Sequence, residues 1–167
     1  MDIGAGDGSF YFPIKEACGF FAAVEPSQKQ SRDFSPARRR YMCNGYGESL
    51  PYKGGLFDAV VIKAALDHCA DPARVLIESH RVLKEGGKVF ILLSNEGAWY
   101  KRLFTRYNKR RKRGQSHNFY FDPSQVKGLL EGHGFRGVAT YDAGLSRTGG
   151  GFICSASKYV SATPGHI

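Results

Sequence analysis

Met1-Asp2-Ile3-Gly4-Ala5-Gly6-Asp7-Gly8-Ser9-Phe10 opens the chain, and its reading decides the fold. Glycines at alternate positions let a backbone turn sharply and leave no side chain where a ligand would lie against it. A strand that enters such a turn and continues into a helix forms the nucleotide-handling corner of a doubly wound α/β sheet. The stretch therefore predicts an open α/β architecture and a nucleotide-type cofactor.

Outward from this turn, strand and helix signals alternate. Phe20–Glu25, Arg40–Cys43, Phe57–Ile62 and Val89–Leu93 are apolar runs of strand length. Their continuous rather than alternating character predicts strands covered on both faces, as in a parallel sheet between helix layers. Asp71-Pro72 starts a helix: the acid caps it, and proline suits the first helical position, where its missing N–H costs nothing. Val75, Leu76, Ser79, Val82 and Leu83 make its apolar face, and Gly86-Gly87 is expected to stop it. Asp122-Pro123 starts a second helix, with Val126, Leu129 and Leu130 inward and Gly134 at its end. Phe135–Tyr141 and Gly151–Ser157 read as late strands that pair antiparallel at a sheet edge. The expected fold is α/β: a doubly wound, mostly parallel Rossmann-like sheet with an antiparallel C-terminal edge pair. A ligand belongs outside the carboxyl ends of the parallel strands, where strand order reverses.

The 167 residues suit one domain, expected over 1–160, and 42% hydrophobic content is that of a globular chain. No apolar run reaches membrane-spanning length, and the start reads as a motif rather than as a secretory leader. Cys18, Cys43, Cys69 and Cys154 are widely spaced, which predicts reduced thiols in a cytoplasmic protein, three of them buried, and no metal site. The net charge of +9 is local: Lys101, Arg102, Arg106, Lys109, Arg110, Arg111, Lys112 and Arg113 supply eight positive charges, leaving 16 basic against 15 acidic residues elsewhere. This run, within a lid-like insertion at about 98–118, has three readings. It is a solvated lid helix, a surface for anionic lipid or an acidic substrate, or a nucleic-acid contact in which Trp99, Tyr100, Phe104 and Tyr107 stack on bases.

The glycine spacing separates two cofactor classes. A dinucleotide fingerprint places a third glycine three residues after the second, and Ser9 stands there instead. Glu25 ends the next strand and suits ribose hydroxyls in either class. The order Asp2-Ile3-Gly4-Ala5-Gly6-Asp7-Gly8, Val24-Glu25-Pro26, Glu48-Ser49-Leu50-Pro51-Tyr52 and Phe57-Asp58-Ala59-Val60-Val61 resembles class I S-adenosylmethionine-dependent methyltransferases. Asp71-Pro72, Leu76, Glu78 and Arg81–Gly87 continue the likeness, which is nearest to the branch that methylates quinone precursors and other small molecules. Ser116–Phe119 and Leu130–Phe135 extend it more loosely toward the end.

The resemblance implies S-adenosyl-L-methionine as cofactor and methyl transfer to an unidentified small-molecule acceptor. It implies that Asp2, Gly4, Ala5, Gly6 and Gly8 lie along the methionine part, and that Glu25 and Pro26 take the ribose. Gly47, Glu48 and Ser49 would cup the adenine, and Lys63 and Ala64 would form a wall near the methyl group. Two departures stand out: Tyr46 replaces the usual adenine-side acid, and Glu85 replaces a proline. On the substrate side, Asp67, His68 and His117 are candidates, with His68 as a catalytic base or, alternatively, as packing at the helix entrance. Two other readings are a methyltransferase-like, non-catalytic module that binds through residues 101–113, and an NAD(P)-dependent oxidoreductase. Because only Met1-Asp2-Ile3 precede the turn, a chain begun late is also expected, with weakened stability and cofactor affinity.

Overall fold

The computed structural model describes residues 1–10, 14–32, 41–94, 118–144 and 150–159. The basic run 101–113 and His117 lie outside these residues, as does most of the expected insertion.

The strands are β1 (Asp2–Ile3), β2 (Ala23–Glu25), β3 (Met42–Asn44), β4 (Phe57–Lys63), β5 (Leu83–Ser94), β6 (Phe135–Asp142) and β7 (Gly151–Lys158). They form one sheet in the order β3-β2-β1-β4-β5-β7-β6. Neighbours from β3 to β5 pair parallel, and β7 runs antiparallel to both β5 and β6. This is the doubly wound sheet with an antiparallel edge pair that the sequence predicts. Strand order reverses between β1 and β4, which opens a crevice at their carboxyl ends.

β1 is two residues long yet sits in the middle. Asp2 and Ile3 lie opposite Ala23 and Val24 on one side and Val61 and Ile62 on the other. Ile3, Val24, Val60 and Ile62 are all buried, and they share a core with Val75, Leu76, Ile91, Leu130 and Phe135. One face of β4 and β5 is fully buried, through Val60, Ile62, Val89, Ile91 and Leu93, and the other is half-buried at Val61, Phe90 and Leu92. The apolar runs are therefore unbroken although the cover is unequal.

Helices α1 (Gln28–Arg32), α2 (Pro72–Val82) and α3 (Pro123–Gly132) cover the sheet. α2 starts as expected, with the Asp71 carboxylate accepting from the Arg74 amide at 3.0 Å. Its end departs from expectation. The helix stops at Val82, and Leu83 is already extended, fully buried and paired with Phe57. Gly86, at φ +70°, instead lies where the register between β4 and β5 shifts. The sheet claims Leu83 for its core, so the glycine pair shapes an irregular strand rather than a helix terminus. α3 opens on a reciprocal capping box, in which Asp122 accepts from the Gln125 amide and Gln125 accepts from the Asp122 amide. Gly134, at φ +86°, ends it as expected.

The cysteines need a correction. All four are free, but only Cys154 is buried; Cys18, Cys43 and Cys69 are partly exposed. Cys43 stands on the short strand β3, which pairs on only one side among the described strands.

One side-chain network ties α2 to the loop before β4. Glu78 accepts from the Leu50 amide and from Arg81, both through Oε2, at 2.8 and 2.7 Å. The Arg81 guanidinium in turn donates to the carbonyls of Tyr52 and Leu50. Arg81 holds the Glu78 carboxyl below its usual range, with the Leu50 amide adding to the effect. Replacing Glu78 by alanine leaves the Leu50 amide and the Arg81 fork without their acceptor. Glu78→Ala should lower unfolding free energy by about 1–3 kcal/mol in denaturant titrations. An unchanged midpoint would show that the network does not hold the loop.

Candidate cofactor site

A cavity of about 670 Å3 opens at the β1–β4 switch point. Its floor is the turn after β1. Gly4, Gly6 and Gly8 all adopt left-handed backbone, at φ +71°, +55° and +69°. Gly4 has a second constraint, because a Cβ there would overlap the Ala65 Cβ. The turn after β4 thus packs directly on the turn after β1. Ala64 takes left-handed backbone, φ +49°, to make that approach, a conformation a residue with a Cβ adopts at some cost.

Glu25 closes the ribose-side corner. It is only 4% exposed, and its carboxylate accepts from the Gly6 amide at 2.8 Å and the Ser27 amide at 2.8 Å. Each oxygen has one backbone partner, so lone pairs remain for a ligand on the cavity side. The same contacts make Glu25 a brace between the glycine turn and the start of α1.

Asp2 is the site's other buried acid, and its Oδ1 has no hydrogen-bond partner. Burial raises its pKa from 3.8 to about 6; the Met1 ammonium and Lys63 pull it down, and Glu25 pushes it up. A buried, unsatisfied carboxylate oxygen on a cavity wall is costly unless a ligand donor meets it.

The third wall is the loop after β3. A Cβ on Gly47 would lie 2.8 Å from Ile3 Cγ2 and 3.3 Å from Val75, so only glycine lets this loop settle over β1 and α2. Glu48 accepts from the Ala70 amide at 2.8 Å and the Asp71 amide at 3.3 Å, which joins the loop to the entrance of α2. Both bonds fall on Oε1, and the residue still lines the cavity.

Of the residues named from sequence, Asp2, Gly4, Ala5, Gly6, Glu25, Pro26, Gly47, Glu48, Lys63, Ala64 and His68 line this cavity. Three described ones do not. The Gly8 amide closes the turn on Ala5, and the Ser49 amide closes the next loop on Tyr46. Asp67 is buried, and its carbonyl accepts from the amides of Asn118 and Phe119. Tyr46, standing where an acid is usual, lines the cavity.

Sequence reasoning missed Phe10, Ser27, Gln30, Cys69 and Asn118 on the wall. Ser27 had a readable signal, since it caps the short helix by accepting from the Gln30 amide. Asn118 did not. It reaches the site from far along the chain, donating from its amide group to the carbonyls of His68 and Cys69 at 2.8 and 3.2 Å.

The pKa of Asp2 yields a stability prediction. The folded carboxyl keeps its proton to about pH 6, whereas the unfolded one loses it near 3.8. Stability of the unliganded chain from this group is therefore greatest below pH 4 and falls as pH rises to 6, by up to about 3 kcal/mol. Subtracting the curve of Asp2→Asn from that of the parent chain isolates the effect. A difference that is flat between pH 4 and 7 would contradict it.

Residues 1–91 match the methyltransferase domain family. An uncharacterised protein of Methanocaldococcus jannaschii is 26% identical over 138 residues, which covers 83% of this chain and 64% of that one. The demethylmenaquinone methyltransferase of Streptomyces avermitilis is 28% identical over 115 residues, 64% of this chain and 48% of its own. The chain thus spans under two thirds of the length of the first relative and about half that of the second. A solved S-adenosylmethionine-dependent methyltransferase of Thermotoga maritima superposes with a TM-score of 0.76 at 24% identity, covering 95% of this chain and 81% of that one, and shares its fold. The matched segment carries the glycine turn, Glu25, the Gly47–Glu48 loop and the turn after β4. With more than half its length matched and this sheet order, the chain belongs to the methyltransferase domain family and has the class I fold.

Proposed function

We propose that the chain binds S-adenosyl-L-methionine in the switch-point cavity and supports methyl transfer to a small-molecule acceptor. One observation carries this reading: Glu25, braced by two backbone amides at the end of β2, turns its remaining lone pairs to a cavity floored by the glycine turn. The residues fit the group. Glu25 would take ribose hydroxyls, the Tyr46–Glu48 loop would flank the base, and Asp2 would meet a donor at the amino-acid end.

The cofactor supplies a methyl on a sulfonium, a good leaving group, so little chemistry is asked of the side chains. Their work is to orient the two partners and keep water out. His68 lines the wall beyond Ala65 and would take a proton from a hydroxyl acceptor; Asn118 donates to its backbone carbonyl. The similarity to a demethylmenaquinone methyltransferase favours a quinone-precursor type of acceptor. We assign the whole of 1–160 to one domain.

The oxidoreductase reading is disfavoured by Ser9, which stands in place of the third dinucleotide glycine. Titration calorimetry with S-adenosylhomocysteine, and NADH as control, tests the proposal. The parent chain should bind the first and not the second. Glu25→Ala should weaken binding by roughly 10–100-fold, the worth of hydrogen bonds to a charged acceptor. Glu25→Gln, which keeps an acceptor for one brace, serves where the alanine variant fails to fold. Tighter binding of NADH, or no binding by a folded chain, would overturn the reading.

A further inference from the structure

Lys63 ends β4 at the cavity wall. Among the described residues its ammonium makes no hydrogen bond or ion pair; its one contact is the Phe10 ring, 5.9 Å from the centroid. That contact holds the ammonium beside the ring and leaves its N–H donors open to an acceptor. The register fixes its neighbours. Ile62 lies opposite Ile3 across the parallel pair, so Lys63 stands beside Gly4. Alternation along the strands then puts Lys63 on the same face of the sheet as Val61 and its partner Asp2. The left-handed turn at Ala64 begins immediately afterwards, so the chain leaves the strand without carrying the lysine away from the cavity.

Among the described residues, two opposite charges on one stretch of wall thus have polar atoms without a partner. Asp2 offers a buried oxygen without a donor, and Lys63 offers an ammonium without an acceptor. They do not bond each other. Asp2 does feel the positive charge of Lys63. A ligand end that is itself a zwitterion satisfies both at once, with its ammonium on the acid and its carboxylate on the lysine. A charge-assisted hydrogen bond of this kind is about twice as strong as a neutral one.

We propose that Lys63 is a cofactor-binding residue that recognises the α-carboxylate of the amino-acid end of the bound adenosyl ligand, opposite Asp2. This rests on the reading of the cavity as an S-adenosylmethionine site and specifies one contact within it. The assignment also separates charges sensibly, because an ammonium serving a carboxylate is not spent beside a positively charged sulfonium.

Three ligands divide the possibilities when titrated into the parent chain, Lys63→Met and Lys63→Arg. S-adenosylhomocysteine carries both ammonium and carboxylate, 5′-deoxy-5′-(3-aminopropylthio)adenosine lacks only the carboxylate, and 5′-methylthioadenosine lacks both. Lys63→Met should weaken S-adenosylhomocysteine about tenfold and leave the other two within about twofold of the parent. Lys63→Arg, which keeps the charge, should recover most of the loss. Equal weakening of all three ligands would make Lys63 a structural residue. An unchanged affinity for S-adenosylhomocysteine would leave the lysine in solvent. Either result overturns the assignment while leaving the adenosyl site in place. Failure of all three ligands to bind the folded parent chain would instead overturn the reading of the cavity, and this contact with it.

Discussion

The parallel pairing of Asp2 and Ile3 between β2 and β4 is the constraint on which the molecule depends. Two residues join the two halves of the sheet. The Asp2 amide donates to the Ala22 carbonyl at 2.9 Å and the Gly4 amide to Val24 at 2.8 Å, while Met1 accepts from the Val61 amide at 2.8 Å. Because neighbouring strands lead away from this one in opposite directions, their loops part at its end, and the cavity is the gap that results. Three of its walls are braced on this strand or the turn that follows it. Glu25 reaches back to Gly6, Ala65 presses on Gly4, and Gly47 rests on Ile3.

Placing a ligand site on so few residues concentrates polar groups in the core. Asp2 and Glu25 are both nearly inaccessible, but their situations differ. Glu25 has its burial offset by two amides and is therefore part of the scaffold as well as of the site. Asp2 lacks a donor for Oδ1, so the unliganded fold carries a cost that a cationic group would relieve. Stability and binding are coupled through this carboxyl: what destabilises the empty fold strengthens the filled one. Away from the cavity, Glu78 and Arg81 hold the loop that carries Gly47 and Glu48, so a helix on the covering layer sets the position of one wall.

Much of this was legible in the sequence where the signal is local. The glycine turn, the acid at the end of β2 and the Asp-Pro starts of α2 and α3 each require a particular residue type at a particular spacing, and each lies where that spacing indicates. The misreadings come from tertiary demands. Gly86-Gly87 looks like a helix stop, yet burial of Leu83 in the sheet ends α2 earlier. Gly8 and Ser49 sit inside the right motifs, but their amides are spent closing turns. Glu48, by contrast, lines the cavity while one of its oxygens also accepts from the entrance of α2. Asn118 could not be found by periodicity or spacing, since its part in the wall exists only once distant segments meet.

The most direct test of the account is a crystal structure of the chain with S-adenosylhomocysteine bound. The account predicts the nucleoside in the switch-point cavity, with its ribose hydroxyls on Glu25, its base beside Tyr46 and Gly47, and its amino-acid end at the Asp2 end of the glycine turn. A ligand bound outside this cavity, or lying in it with base and amino acid exchanged, would contradict it.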